Sequence, residues 1–136
     1  MTRVAVDTSV AVPLLVATHP AHDRVQEWAR GRTLTLGGHA LAETFSVLTR
    51  LPGDARLLPE DAAGLIDDNF DGSLQLEAEA AATVHREFAE RGVAGGAVYD
   101  GLVAAAVRAH DVTLASRDAR ARGTYESMGV RVEPLT

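Results

Sequence analysis

The sequence contains no cysteine and no lysine among its 136 residues. Without cysteine the chain cannot form disulfides, zinc–thiolate centres or a thiol nucleophile. Without lysine it lacks the phosphate-binding lysine of a Walker-type loop and cannot form a Schiff base. All 13 basic residues are arginines. The chemistry open to the chain therefore depends on carboxylates, hydroxyls, histidines and guanidinium groups.

Aromatic residues and positive charge are also scarce. Phe, Trp and Tyr together make up 4% of the chain, and the net charge is −6. Nucleic-acid phosphates are bound mainly by cations, and single strands are bound on stacked aromatic rings, so the composition argues against a broad nucleic-acid platform. No run reaches about 18 apolar residues, so we expect no membrane span. Asp7 interrupts the first apolar run, which argues against a secretory signal.

Short apolar runs alternate with helical patterns along the chain. The pattern predicts strands at 4–6, 33–36, 73–76, 112–115 and 130–132, and helices at 9–17, 20–30, 39–51, 59–70, 77–91, 98–110 and 118–128. Such alternation is typical of an α/β domain with a mostly parallel sheet covered by helices on both faces. We expect residues 1–136 to form a single domain, because no linker or repeat divides them.

Four acids lie where such a sheet places its ligands. Asp7 follows the first predicted strand and Asp118 the fourth, while Glu43 and Asp100 lie early in predicted helices. Ligands bind beyond the carboxyl ends of parallel strands. Each acid also has a simpler explanation, as a helix cap, a partner of the helix dipole or a solvated residue. If the four converge, they need a cation, and Mg²⁺ or Mn²⁺ is the expected one.

The segments that carry these acids resemble a known family. "VAVDTSV", "ALAETFSVLTRL", "VYDGLVAAAV" and "LASRDARARGTYESMGV" are similar, in this order, to the four motifs of PIN domains, above all the VapC-type toxins of bacterial toxin–antitoxin pairs. The resemblance implies a three-layer PIN-like fold and Mg²⁺-dependent endoribonuclease activity. It implies catalytic and metal-binding roles for Asp7, Glu43, Asp100 and Asp118. We expect Asp7 and Asp100 to be direct ligands.

The same motifs suggest groups that bind substrate. Thr8 and Ser9 match the hydroxyl pair after the first acid, and Ser116 stands where the family often has threonine. Arg117 lies beside Asp118 and is the arginine that we expect to face an RNA phosphate, because a local guanidinium can hold phosphate despite a negative total charge. Alternatively, the arginines at 117, 120 and 122 only solvate the last helix. An RNA with an exposed single-stranded loop suits a cleft better than a duplex.

The resemblance further implies a homodimer, a protein antitoxin that covers the cleft, and a cytoplasmic location. The predicted helices at 39–51 and between 9 and 30 are candidate antitoxin contacts, with Leu14, Leu15 and Trp28 as anchors or as ordinary core residues. Two other functions are open to a small acidic α/β chain. A phospho-accepting receiver domain needs a lysine, which is absent. A non-catalytic PIN-like module that binds RNA or protein would not need all four acids.

Overall fold

Five strands alternate with seven α-helices in the computed structural model, which describes residues 2–136. The strands are β1 (Thr2–Val6), β2 (Arg32–Gly37), β3 (Ser73–Leu74), β4 (Leu114–Ser116) and β5 (Val132–Pro134). The helices are α1 (Thr8–Leu15), α2 (His22–Ala29), α3 (Ala40–Thr49), α4 (Pro59–Asn69), α5 (Ala78–Arg91), α6 (Ala97–Ala109) and α7 (Arg122–Met128). A short 3₁₀ turn covers Gly53–Ala55.

The strands form one sheet in the order β3-β2-β1-β4-β5, and every neighbouring pair is parallel. The central strand β1 pairs with β2 along its whole length and with β4 near its carboxyl end, where Val6 lies opposite Ala115. The prediction of a mostly parallel sheet is therefore confirmed. Because Val6 and Ala115 are in register, Asp7 and Ser116 follow them at the same edge of the sheet.

Helices cover both faces of this sheet. Val4 and Val6 point into one core, which β1 shares with α1, α2, α3 and α4. Ala5 points into a second core, formed mainly with α5, α6 and α7. Adjacent residues of a strand point to opposite faces, so a strand with apolar residues at all three positions must be buried on both sides. The predicted three-layer α/β architecture is confirmed.

The last helix begins later than the sequence pattern predicts. Its predicted range was 118–128, but α7 begins at Arg122. The Asp118 carboxylate accepts hydrogen bonds from the backbone N–H groups of Arg120 (2.9 Å) and Ala121 (3.4 Å), and so closes a separate turn ahead of the helix. An acidic side chain that bonds the backbone two and three residues on favours such a turn over a continuous helix.

The last strand also begins two residues later than its predicted range of 130–132. Gly129 ends α7 in the left-handed region, with φ of 77°, and the Val130 N–H bonds back to the Tyr125 carbonyl. This is a common way to end a helix at glycine. It holds Val130 against α7, so that pairing with β4 starts at Val132.

The three apolar residues considered as antitoxin anchors pack within the chain. Leu14, Leu15 and Trp28 are partly buried against the core between the sheet and helices α1–α4. The indole N–H of Trp28 donates to the Glu133 carboxylate at 2.8 Å. Their role toward an antitoxin stays a prediction. Within residues 2–136, none of the helices combines the length and apolar character that crossing a bilayer requires.

Candidate active site

Asp7 occupies the junction between β1 and α1. It is the N-cap of α1, with an extended backbone, and its Oδ1 accepts hydrogen bonds from the backbone N–H (3.0 Å) and the hydroxyl (2.5 Å) of Ser9. The simpler explanation of this residue as a helix cap is therefore correct. Only 5% of Asp7 is exposed, however. A capping carboxylate does not need to be buried, so capping alone does not explain this position.

The other oxygen of Asp7 is held from across the sheet. Its Oδ2 accepts hydrogen bonds from the hydroxyls of Ser116 (2.6 Å) and Tyr125 (2.7 Å). Asp7 thus accepts four hydrogen bonds, which satisfy a carboxylate that is almost fully buried. Burial first, and then the adjacent Asp7 charge, raise the pKa of the Tyr125 hydroxyl above its usual range. It therefore remains a donor.

Sequence reasoning did not identify Tyr125 as part of the site. Tyr125 lies in α7 and is fully enclosed by the second core. The available signal was slight: a tyrosine in a helix that packs on the core needs a polar partner for its hydroxyl. The sequence does not say which partner, because that depends on how α7 lies across the end of β1.

Glu43 is tied to α1 and to the beginning of its own helix. The Thr8 hydroxyl donates to Glu43 Oε2 at 3.2 Å, and the Nε2 of His39 lies 3.4 Å from Glu43 Oε1. Thr8 directly follows Asp7, so this bond brings the first two motifs together. Glu43 remains partly exposed and is therefore accessible from the solvent side of the site.

Asp100 shows that the four acids lie near one another. It lies in the first turn of α6, where the helix dipole favours a negative charge. Nevertheless its pKa is raised from 3.8 to about 6, because it is partly buried and because Asp118, Glu43 and Asp7 are negative neighbours. Burial has the largest effect, followed by the charge of Asp118. The structure therefore brings the four predicted acids to one edge of the sheet.

The predicted substrate-binding hydroxyls bond to the acids. Thr8 donates to Glu43, while Ser9 and Ser116 both donate to Asp7. Ser116 also accepts from the backbone N–H of Asp118 at 3.1 Å, which links the first and last acids through one hydroxyl. In this arrangement the hydroxyls orient carboxylates. Their contact with substrate stays a prediction.

Arg117 is directed to backbone carbonyls. Its guanidinium donates to the carbonyl of Thr136 (3.0 Å) and to that of Ser9 (3.4 Å). The Ser9 carbonyl lacks its usual partner in α1, because residue 13 is a proline without an N–H. Arg117 therefore supplies a donor that the helix cannot. Arg120 and Arg122 are exposed beside it.

The site suits a hard divalent cation by its donor chemistry. It contains four carboxylates, and the pKa of Asp100 is raised by burial and then by repulsion from the other three, both of which a bound cation would offset. Oxygen donors of this kind are those that Mg²⁺ and Mn²⁺ prefer. In residues 2–136, however, no three acidic or histidine side chains meet closely enough to hold an ion as they stand. The metal-ligand roles of the acids thus stay predictions.

Comparison with known proteins shows which family the chain is similar to. The PIN domain model matches residues 4–126. The curated protein Ribonuclease VapC27 of Mycobacterium tuberculosis is 55% identical over 128 residues, which cover 94% of this chain and 93% of that protein.

Two solved structures share the fold. Mycobacterium tuberculosis VapC20, described as a sarcin-ricin loop cleaving toxin, gives a TM-score of 0.67 at 18% identity, covering 88% of this chain and 93% of that one. VapBC2 from Rickettsia felis, bound to a DNA fragment from its promoter, gives a TM-score of 0.67 at 13% identity. The match covers 99% of this chain and 100% of the VapBC2 chain. As its four motifs predicted, the chain belongs to the PIN domain family and to the VapC proteins within it.

Proposed function

We propose that this chain is a metal-dependent endoribonuclease that acts in the cytoplasm as the toxin of a toxin–antitoxin pair, with residues 1–136 as one catalytic domain. The observation that carries the proposal is the gathering of Asp7, Glu43, Asp100 and Asp118 at one sheet edge, where burial and then the three neighbouring charges raise the pKa of Asp100. The name of VapC27, a ribonuclease, supports RNA as the substrate.

The four acids would hold Mg²⁺ or Mn²⁺. When bound, such an ion supplies a Lewis acid for the scissile phosphate and makes water a stronger nucleophile near neutral pH. Asp100 gains most from a cation, since it is the carboxylate whose ionisation burial and its neighbours oppose. Direct ligation by Asp7 would require one of its four hydrogen bonds to open.

The hydroxyls and Tyr125 would fix the carboxylates before substrate arrives. Ser116 and Tyr125 hold one oxygen of Asp7, and Ser9 holds the other. Groups that orient metal ligands in this way commonly change metal affinity 10- to 100-fold. This support limits the rotation of Asp7, so that Asp100 and Glu43 are the acids with more freedom to adjust.

RNA with an exposed single-stranded loop is the proposed substrate. Arg120 and Arg122 are exposed next to the turn at Asp118, and guanidinium groups bind phosphate bidentately. Arg117 could contact phosphate only by leaving the carbonyls of Ser9 and Thr136. Hydrolysis by water would leave a 5′-phosphate and a 3′-hydroxyl.

A protein antitoxin and a second copy of the chain are the proposed partners. Membership of the VapC proteins supports both, and VapBC2, which shares the fold, supports the antitoxin. An antitoxin that presents a basic side chain to the acids would replace the cation and block the cleft. The outer surface of α3, which carries Glu43 in its first turn, is the proposed contact for such a partner.

Cleavage of an RNA hairpin with an unpaired loop tests the proposal. We expect Mg²⁺ to support cleavage, EDTA to stop it, and Asp100→Asn to lower the rate at least 100-fold. Asp54→Asn is the matched control, because it removes the same charge from the exposed 3₁₀ turn. Equal cleavage by Asp100→Asn and the parent would refute the catalytic assignment. Tight RNA binding without cleavage in Mg²⁺ or Mn²⁺ would instead favour the non-catalytic module.

A further inference from the structure

Tyr99 exposes an aromatic ring beside the acids. It is 53% exposed and lies in the first turn of α6, directly before Asp100. Among the Phe, Trp and Tyr residues, all of which fall within the described chain, every other one is partly or fully buried. Leu58, at the start of α4, is the other exposed large apolar residue in residues 2–136.

The ring of Tyr99 is stacked on His39. The two ring centroids are 5.1 Å apart and the planes are inclined by 26°. His39 is the N-cap of α3, and its Nε2 lies 3.4 Å from Glu43 Oε1. The aromatic pair therefore joins the beginnings of the two helices that carry Glu43 and Asp100. Stacking on one ring reduces the freedom of the Tyr99 side chain, while more than half of the residue stays exposed.

We propose that Tyr99, supported by His39, stacks against one unpaired RNA base next to the cleaved phosphodiester. This inference rests on the proposed function. Bases that are not paired are commonly bound on aromatic side chains. A base has no charge, so it can approach the acids where a phosphate would be repelled. The stack would thus hold the RNA at the site by its base and leave the phosphate to the cation.

A site for one base agrees with the composition. The low aromatic content argues against a platform that stacks several bases in a row, and one exposed ring does not form such a platform. The preference for a flat, unpaired base would direct the enzyme to loops and away from duplex. Tyr99 would then contribute to specificity for single-stranded RNA, and the acids would perform the hydrolysis.

Steady-state cleavage of the RNA hairpin tests the proposal with Tyr99→Ala, Tyr99→Phe and Leu58→Ala. Loss of one base–aromatic stack should raise KM by about 5- to 100-fold in Tyr99→Ala while kcat changes little. Tyr99→Phe keeps the ring and should stay within about 3-fold of the parent. Leu58→Ala removes an exposed apolar side chain elsewhere and should behave as the parent. Thermal unfolding of each variant confirms that the fold is kept.

A second readout follows the base directly. Single 2-aminopurine substitutions along the loop report stacking as loss of fluorescence when the RNA is mixed with protein in EDTA. We expect quenching at one position next to the cleavage site, absent in Tyr99→Ala and retained in Leu58→Ala. Unchanged KM and quenching in Tyr99→Ala, with normal cleavage by the parent, would overturn the stack and leave the nuclease intact. If Tyr99→Ala loses antitoxin binding but keeps the KM and quenching of the parent, the stack is likewise overturned. A parent that neither cleaves nor binds the hairpin would overturn both proposals.

Discussion

The hydroxyl of Tyr125 donates a 2.7 Å hydrogen bond to Oδ2 of Asp7, joining two residues that lie 118 positions apart in the sequence. The bond forms because α7 packs against α6 and buries Tyr125 beyond the end of β1. Tyr125 reaches no solvent there and serves the carboxylate alone. It is therefore a positioning residue for Asp7.

Tyr125→Phe should weaken divalent metal binding about 10-fold while keeping the fold. The substitution removes one hydrogen bond from Asp7, and the loss of a bond to a charged group lowers the free energy of unfolding by about 1–2 kcal/mol. Calorimetric titration with Mn²⁺ and thermal unfolding in EDTA measure the two effects. Tyr99→Phe removes the other tyrosine hydroxyl and is the matched control. Unaltered Mn²⁺ affinity in Tyr125→Phe would show that Asp7 does not depend on this bond.

Asp100→Asn should make the metal-free protein more stable. Burial and three negative neighbours raise the pKa of Asp100 to about 6 from 3.8, so its ionised form opposes folding. This destabilisation is complete above pH 6 and disappears below about pH 4, where the carboxyl is protonated in both states. Allowing for solvent screening, we expect a gain of about 1–2 kcal/mol at pH 7 that shrinks as the pH falls to 4.

Denaturant unfolding in EDTA at pH 7 and pH 4 measures this gain. Asp54→Asn changes the same type of group at an exposed position and should leave the stability nearly unchanged. Adding Mg²⁺ should stabilise the parent more than Asp100→Asn, since the ion relieves the repulsion that the variant already lacks. An Asp100→Asn protein less stable than the parent at pH 7 in EDTA would mean that burial and the neighbouring acids do not oppose ionisation of Asp100.

The placement of Asp7 could be predicted from the sequence, but its hydrogen bonds could not. A carboxylate directly after a buried strand must lie at the carboxyl edge of a parallel sheet, and this requires only the local pattern. The bond from Tyr125 depends on the packing of α7, which no local pattern specifies. Arg117 illustrates the same limit. The Ser9 carbonyl is free to accept its bond because Pro13, in a helix about 100 positions earlier in the sequence, has no N–H to donate.

The layers of the fold were predictable for a similar reason. Apolar residues at Val4, Ala5 and Val6 require cover on both faces, and alternating helices supply it. The ends of elements were less predictable where a side chain competes with the helix. The Asp118 carboxylate accepts a hydrogen bond from the Arg120 N–H, so α7 begins later than the apolar pattern indicates. Gly129 ends α7 in the left-handed conformation, so β5 also begins later.

Glu87 should give the fold a stability that is lost in acid. Arg108 and Arg91 both donate to its carboxylate, at 2.6 Å and 2.7 Å, and the Arg108 bond links α5 to α6. The Arg108 hydrogen bond first, and then that of Arg91, outweigh burial and lower the pKa of Glu87 from 4.5 to about 2. The stabilisation is therefore complete above pH 4.5 and disappears as the pH falls to about 2.

Glu87→Gln should lower the free energy of unfolding by about 1 kcal/mol at pH 7, since solvent screens this partly exposed cluster. The difference from the parent should narrow between pH 4.5 and 2. Glu90→Gln, on the exposed surface of the same helix, serves as the control and should have little effect. Denaturant titrations across this pH range give the comparison. A Glu87→Gln deficit that persists at pH 2 would contradict the assignment.

Gly101→Ala should destabilise the protein although it places alanine in a helix. A Cβ at position 101 would lie 2.7 Å from Cε1 of Phe88, which is buried in the core and has little space to move. Overpacking of this kind costs about 1–3 kcal/mol, more than the gain of up to about 1 kcal/mol from alanine in a helix interior. The strain falls on the first turn of α6, which carries Tyr99 and Asp100.

Gly64→Ala provides the comparison, because Gly64 lies within α4 with no atom within 4 Å of an added Cβ. It should stabilise by about 0.5–1 kcal/mol, so the two substitutions should have opposite signs in denaturant unfolding. Phe88→Leu in the Gly101→Ala background creates space and should recover part of the loss. If Gly101→Ala stabilises as Gly64→Ala does, then Phe88 can withdraw from α6, and close packing there does not fix the position of Asp100.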